Sequence, residues 1–200
     1  MSDPVEFYFD FTSPYSYLAS ERIDELAARH GRKVKWHPVM LGAAFKASGM
    51  PLLVTIPLKG EYSKRDFDRS ARFMGVPYKF PAKFPVSSLA AARAYYWLHG
   101  QDCAKAREFA HAVFRAYWVD GRDISETPVV LAIVGGLGLE VGACETAIAT
   151  QEIKDRVKNE TDAAIALGMF GAPYFMVDGE PFWGADRLPQ IEKWLQTGGF

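Results

Sequence analysis

From Val5 to Phe11 the chain reads VEFYFDF, and side chains of opposite character take turns along much of it. A period of two marks a β-strand. At Ser13 the period changes. Serine is a favoured helix N-cap and Pro14 suits the first helical position. Apolar residues at helical spacing then predict a helix to about His30, ended by Gly31. Val34–Val39 (VKWHPV) predicts a second strand. The chain therefore opens β-α-β, a parallel pair joined through a crossover helix.

From about Leu41 to Leu167 the pattern is mostly helical. Helices are predicted over Tyr62–Met74, Val86–His99, Asp102–Trp118, Ser125–Leu137, Glu140–Ala149 and Gln151–Leu167. In the last of these, the charges of Glu152–Lys158 form a solvated face and carry no function. The pattern reverts at Ala172–Asp178 (APYFMVD), a strand followed by the hairpin signal Asp178-Gly179. Glu180–Trp183 is the return strand and Asp186–Gln196 a terminal helix. The order is β-α-β, helices, β-β-α. Its two ends combine into one four-stranded sheet with flanking helices, a thioredoxin-like α/β fold interrupted by an all-helical insertion. The expected division is residues 1–41 with 168–200 for the thioredoxin-like domain and 42–167 for the insertion.

Composition narrows the function. With 49% hydrophobic and 14% aromatic residues, 200 residues can build a sizeable core. A net charge of -1 without a basic cluster argues against nucleic acid or an anionic membrane as partner. Val129–Leu139 is too short to span a bilayer, for which about 20 residues are needed, and Gly135-Gly136 interrupts it. Met1-Ser2-Asp3-Pro4 has no secretory pattern, so a soluble, cytoplasmic protein is expected. Cys103 and Cys144 are the two cysteines. They lack metal-ligand spacing and read as free thiols.

The strand-to-helix junction carries the chemistry. A helix start favours an anion, which is why thioredoxin-type sites place a reactive sulfur there. In Ser13-Pro14-Tyr15-Ser16 both cysteine positions of a Cys-x-x-Cys motif hold serine. Serine cannot exchange disulfides, but its hydroxyl can donate to a thiolate brought from outside. That points to glutathione. Taken alone, Ser13 is simply a cap, and Ser16 reads as structural. The other motifs carry no chemistry. Gly135-Gly136-Leu137-Gly138 lacks the strand-to-helix context of a phosphate loop, the four histidines lack ligand spacing, and no Gly-x-Ser-x-Gly elbow supports a hydrolase.

Three separated segments, FDFTSPYSYLA, IPLKGEYSKRD (Ile56–Asp66) and FGAPYFMVDGEPFWGADRL (Phe170–Leu188), together resemble the 2-hydroxychromene-2-carboxylate isomerases. These are related to kappa-class glutathione transferases in a DsbA-like branch of the thioredoxin superfamily, and the resemblance covers essentially the full chain. It implies Ser13 as the thiol-activating serine and a cis bond before Pro173. It implies that the Ala172 backbone pairs with the cysteinyl part of glutathione, as an added strand would. It implies that backbone N–H groups at Ala185 and Asp186 hold the γ-glutamyl carboxylate, with the Asp186 side chain on the ammonium. It also places a glutathione-binding lysine at Lys59. The family often has asparagine where this chain has Met50, which removes one polar contact. A bottom-up reading makes Asp186 the cap of the last helix and Lys59 plain surface.

The activity implied is interconversion of 2-hydroxychromene-2-carboxylate and trans-o-hydroxybenzylidenepyruvate in naphthalene-type degradation, by reversible thiolate addition that returns the glutathione. A small aromatic carboxylate is then the substrate, bound in an apolar site between the domains. Tyr15, Phe45 and Trp183 are candidates for its walls by position, and a cation for its carboxylate is expected but not selected. The resemblance implies a homodimer. Two other readings stand: a kappa-type transferase or peroxidase, which consumes glutathione, and a redox-inactive module that binds peptides near Pro173.

Overall fold

Strand β1 (Val5–Phe9) is the hub of the molecule, which a computed structural model describes over residues 3–200. Met1 and Ser2, the start of the segment expected to carry no secretory pattern, lie outside the described residues. β1 pairs in parallel with β2 (Val34–Pro38) and antiparallel with β3 (Tyr174–Val177), which turns back into β4 (Glu180–Trp183). The sheet order is β2-β1-β3-β4. Asp178 and Gly179 both have positive φ, as the tight hairpin predicted there requires. The four-stranded sheet built from both chain ends is as expected.

Both faces of β1 are covered, and this explains its aromatic run. Phe7 and Phe9 stack on one face, with Trp36 edge-on to each and Phe175 stacked on Phe7. Tyr8 points to the other face, in a smaller cluster with Val39, Ala164, Met169 and Tyr174. The first helix differs from its prediction. It is α1 (Pro14–Ser20) followed by α2 (Ile23–Arg29), broken at Glu21-Arg22. At the break Arg22 leaves helical geometry, and its guanidinium reaches the Met74 carbonyl. No local residue preference signals that contact.

The chain between the two halves of the sheet forms α3 (Leu41–Ser48), α4 (Lys59–Met74), α5 (Leu89–His99), α6 (Cys103–Trp118), α7 (Thr127–Gly136), α8 (Val141–Ala149) and α9 (Gln151–Ala166). Buried hydroxyls and an indole fix these helices to the strand ends. Tyr95 and Tyr96 of α5 donate to the Trp36 and Pro38 carbonyls at 3.0 and 2.9 Å. Trp118 Nε1 donates to the Phe11 carbonyl at 2.8 Å. Each bond satisfies a carbonyl on the open edge of β2 or beyond the end of β1, and leaving one unmade in the interior costs about 1–3 kcal/mol. The terminal helix α10 (Leu188–Thr197) begins two residues later than predicted, after a separate 3-10 turn at Ala185–Arg187. Among the described residues no helix is long and apolar enough to cross a membrane.

Candidate functional site

The C-terminal end of β1, the N-terminus of α1 and the turn before β3 meet at one cavity of about 1260 Å³. Ser13 sits at their junction, 4% exposed. It is the cap the sequence predicts: Oγ accepts from the Ser16 N–H at 3.2 Å. The same hydroxyl donates to the Ala172 carbonyl at 3.0 Å, across 159 residues of sequence. The Ala172–Pro173 bond is cis. A second cis bond, Phe84–Pro85, was not anticipated, and both its residues line the cavity. Ser16 is fully buried and outside the cavity wall, in keeping with a structural role.

Ala172, Pro173, Ala185 and Asp186 line this cavity together with Ser13. The Pro173 carbonyl accepts from the Gly184 N–H at 3.0 Å, tying the proline turn to the 3-10 turn. Among the described residues no backbone carbonyl takes the N–H of Ala185 or Asp186. Gly184 has φ +110°, and a side chain there would collide with the Asp186 carboxylate. Asp186 does not cap α10. That position is Arg187, whose side chain makes no cap bond, and Asp186 instead pairs with Arg187 at 3.4 Å while remaining largely exposed. The extra 3-10 turn is what moves it off the cap. Lys59 is the exposed first residue of α4 and is not part of the cavity wall.

Most of the remaining wall is apolar. Phe45 of α3, Met50 to Val54 and Ile56 of the following segment, Phe67 of α4 and Phe84 line it. Met50, standing where the resemblance implies a polar contact, continues this surface. Tyr15 and Trp183 line it too, as their positions suggested. Trp183 packs its ring on Phe170 with centroids 4.7 Å apart. A side chain at Gly171 would come within 2.5 Å of its Nε1. Three cations, Arg22, Arg29 and Arg187, border the cavity, and the last two are already paired with carboxylates.

Two features escaped the sequence reading. Asp10 is 3% exposed and its carboxylate accepts from Thr12 N–H, Thr12 Oγ1 and Leu41 N–H, each at 2.9 Å. It thereby ties the loop before α1 to the start of α3, two segments that line the cavity. An acidic residue inside an aromatic strand was the available signal. The second is the hydrogen bond from Tyr15 Oη to Asp66, whose other oxygen takes Arg69. Burial, and next the Asp66 carboxylate, push the Tyr15 phenol well above its usual range. Nothing in sequence proximity links residues 51 positions apart.

No cysteine thiol of the chain lines this site. Cys103 and Cys144 are free, as expected, and neither lines the cavity. Burial pushes the Cys144 thiol up to about 11. Among the described residues no group of three or more histidine, cysteine or acidic side chains could hold a metal ion.

Residues 4–196 match the family described as DSBA-like thioredoxin domain. The 2-hydroxychromene-2-carboxylate isomerase of Pseudomonas putida is 32% identical over 193 residues, covering 94% of this chain and 92% of its own. The solved structure of a 2-hydroxychromene-2-carboxylate isomerase superposes with a TM-score of 0.87 at 30% identity, covering 96% of this chain and 94% of that one. Glutathione S-transferase kappa 2 of Caenorhabditis elegans is 29% identical, covering 96% of this chain and 91% of its own. The chain belongs to the family of DSBA-like thioredoxin domains, among relatives that include the 2-hydroxychromene-2-carboxylate isomerases.

Proposed function

We propose that this protein is a glutathione-dependent isomerase acting on 2-hydroxychromene-2-carboxylate and trans-o-hydroxybenzylidenepyruvate. One observation carries the reading. A serine hydroxyl caps a helix N-terminus at an apolar cavity to which the chain contributes no thiol. That is a place to hold a borrowed thiolate beside an aromatic substrate. The relatives named as isomerases, matched over nearly their whole length, support the substrate class.

The residues present fit glutathione. Ser13 Oγ now donates to the Ala172 carbonyl, and rotation about its C–O bond redirects that proton to a sulfur. A hydroxyl donating to S⁻ stabilises the anion far more than the thiol. The unpaired N–H groups of Ala185 and Asp186 suit a carboxylate, and the exposed Asp186 carboxylate suits an ammonium. Ala172 offers backbone for strand-like pairing. The resemblance adds Lys59, exposed at the start of α4, as a cation for a glutathione carboxylate. When bound, glutathione supplies the thiolate whose reversible addition makes a conjugated double bond single, so that it can rotate. The apolar wall from Phe45 to Phe84 orients the aromatic body and excludes water. We further propose that the protein works as a cytoplasmic homodimer and that residues 42–167 are an insertion between the halves of the thioredoxin-like domain.

The test follows the absorbance of 2-hydroxychromene-2-carboxylate with enzyme, with and without reduced glutathione, and assays total thiol afterwards. Glutathione-dependent conversion at constant thiol is the expected result. Absence of conversion refutes the substrate. Loss of thiol with each turnover replaces the isomerase by a kappa-type transferase.

A further inference from the structure

An enzyme acting on a cyclic hemiketal must also open its ring, and ring opening needs proton transfer rather than a thiol. The hydroxyl and the ring oxygen of the hemiketal sit on one carbon, so one protein group can serve both. No histidine lines the cavity among the described residues. Asp10 is committed to three donors, and Glu25 and Glu192 to Arg29. Asp186 pairs with Arg187. The group left is Tyr15, two residues beyond Ser13 on the same helix start, with its hydroxyl on Asp66 and its ring edge-on to Phe67 at 4.8 Å.

We infer that Tyr15 is a catalytic acid–base for ring opening, with Asp66 as its proton partner and Arg69 as the positioning residue that holds Asp66. The inference rests on the isomerase reading. The hemiketal O–H bond breaks and its electron pair becomes the second bond of the new carbonyl. The ring C–O bond breaks and its pair goes to the phenol oxygen. The released proton passes to Tyr15 Oη while the tyrosine's own proton moves onto Asp66. The same two groups then return one proton to the phenol oxygen, so the step balances without another reactant. Tyr15 can act in both directions because its burial, with Asp66 and Asp186 facing it, keeps it a neutral hydroxyl. The Tyr62 hydroxyl and the Arg69 guanidinium share the same Asp66 oxygen, which leaves the other to Tyr15.

Exchange NMR of the substrate with protein and no glutathione reads closed-to-open interconversion alone. At saturating substrate, the protein is expected to speed this exchange with a solvent deuterium isotope effect. Tyr15→Phe should lower the rate about 100-fold, at the low end of what general acid–base groups contribute. Asp66→Asn keeps a hydrogen-bond acceptor but cannot take the proton, and should lower it about 10-fold while reducing the isotope effect. Wild-type exchange rates in Tyr15→Phe, or no acceleration by the protein itself, overturn the inference. A purely structural role would change the substrate concentration needed for saturation and leave the saturated rate and its isotope effect alone. Failure of glutathione-dependent isomerisation in the absorbance assay sinks the underlying reading separately, because ring opening is measured without the thiol.

Discussion

Replacing Asp10 tests whether it ties two segments of the cavity wall together, as its hydrogen bonds indicate. Its Oδ1 takes both Thr12 donors and its Oδ2 takes the Leu41 N–H. Asp10→Ala leaves two backbone N–H groups and a hydroxyl without their acceptor. A buried donor stripped of its partner costs about 1–3 kcal/mol, but the adjoining cavity lets water reach some of them. A loss of about 3–5 kcal/mol follows, large for a point change. Asp10→Asn is the sharper probe. With its oxygen kept towards Thr12, its amide nitrogen faces the Leu41 N–H, donor against donor. That forfeits one charged hydrogen bond, about 1.5–3 kcal/mol. Thr12→Val removes only the hydroxyl contact and should cost about 1 kcal/mol. Urea unfolding of the three variants measures the series, read at an unchanged m-value. Equal losses for Asn and Val, or a loss below about 0.5 kcal/mol for Asn, would refute the bridging role.

Three further expectations follow from the same structure. Ser13→Ala removes the acceptor for the Ser16 N–H, costing about 1 kcal/mol of stability by thermal unfolding. It also removes the proposed thiolate donor, raising the pKa of bound glutathione by about 1–2 units. Gly184→Ala should weaken glutathione binding in calorimetry, because the added methyl displaces the Asp186 carboxylate and strains a φ of +110°. The third concerns His37, held between Glu6 at 2.6 Å and Glu160 at 3.4 Å. Burial alone would lower its pKa, but bonds to Glu160 and Glu6 outweigh this and raise it above 6.5. Its stabilisation is therefore complete below pH 6.5 and fades as pH rises through the raised value. Glu6 and Glu160 are lowered below 4.5, so theirs is present above that pH and fades in acid. The advantage of wild type over His37→Asn in melting temperature should peak between pH 4.5 and 6.5. A constant difference across that range would count against the triad.

What the sequence disclosed and what it hid divide along physical lines. Strand alternation, the Ser13-Pro14 helix start and the Asp178-Gly179 turn are local signals, and the strands, cap and hairpin appear where they were read. Ser13, Ala172, Pro173, Ala185 and Asp186 do meet at one cavity, since resemblance carries information that no local pattern holds. The misses are tertiary. The first helix is interrupted at Glu21-Arg22, where Arg22 reaches Met74, a contact 52 residues away. The local pattern alone makes Asp186 a cap, because Asp before an apolar helix is usually one, but an intervening 3-10 turn puts Arg187 at that position. Lys59 is exposed at the first residue of α4 and does not line the cavity. Asp10 left only the trace of an acidic residue in an aromatic run, and the Tyr15–Asp66 bond left none, because Leu41 and Asp66 lie on other elements.

The central claim is that the Ser13 helix start stabilises a thiolate the protein does not itself possess. Ultraviolet absorbance of the thiolate, followed through a pH titration of glutathione with the protein in excess, tests it directly. The account predicts thiolate at neutral pH, with an apparent pKa about 1–2 units below the usual thiol value of about 8.5. Ionisation only at the pH where free glutathione ionises would contradict it.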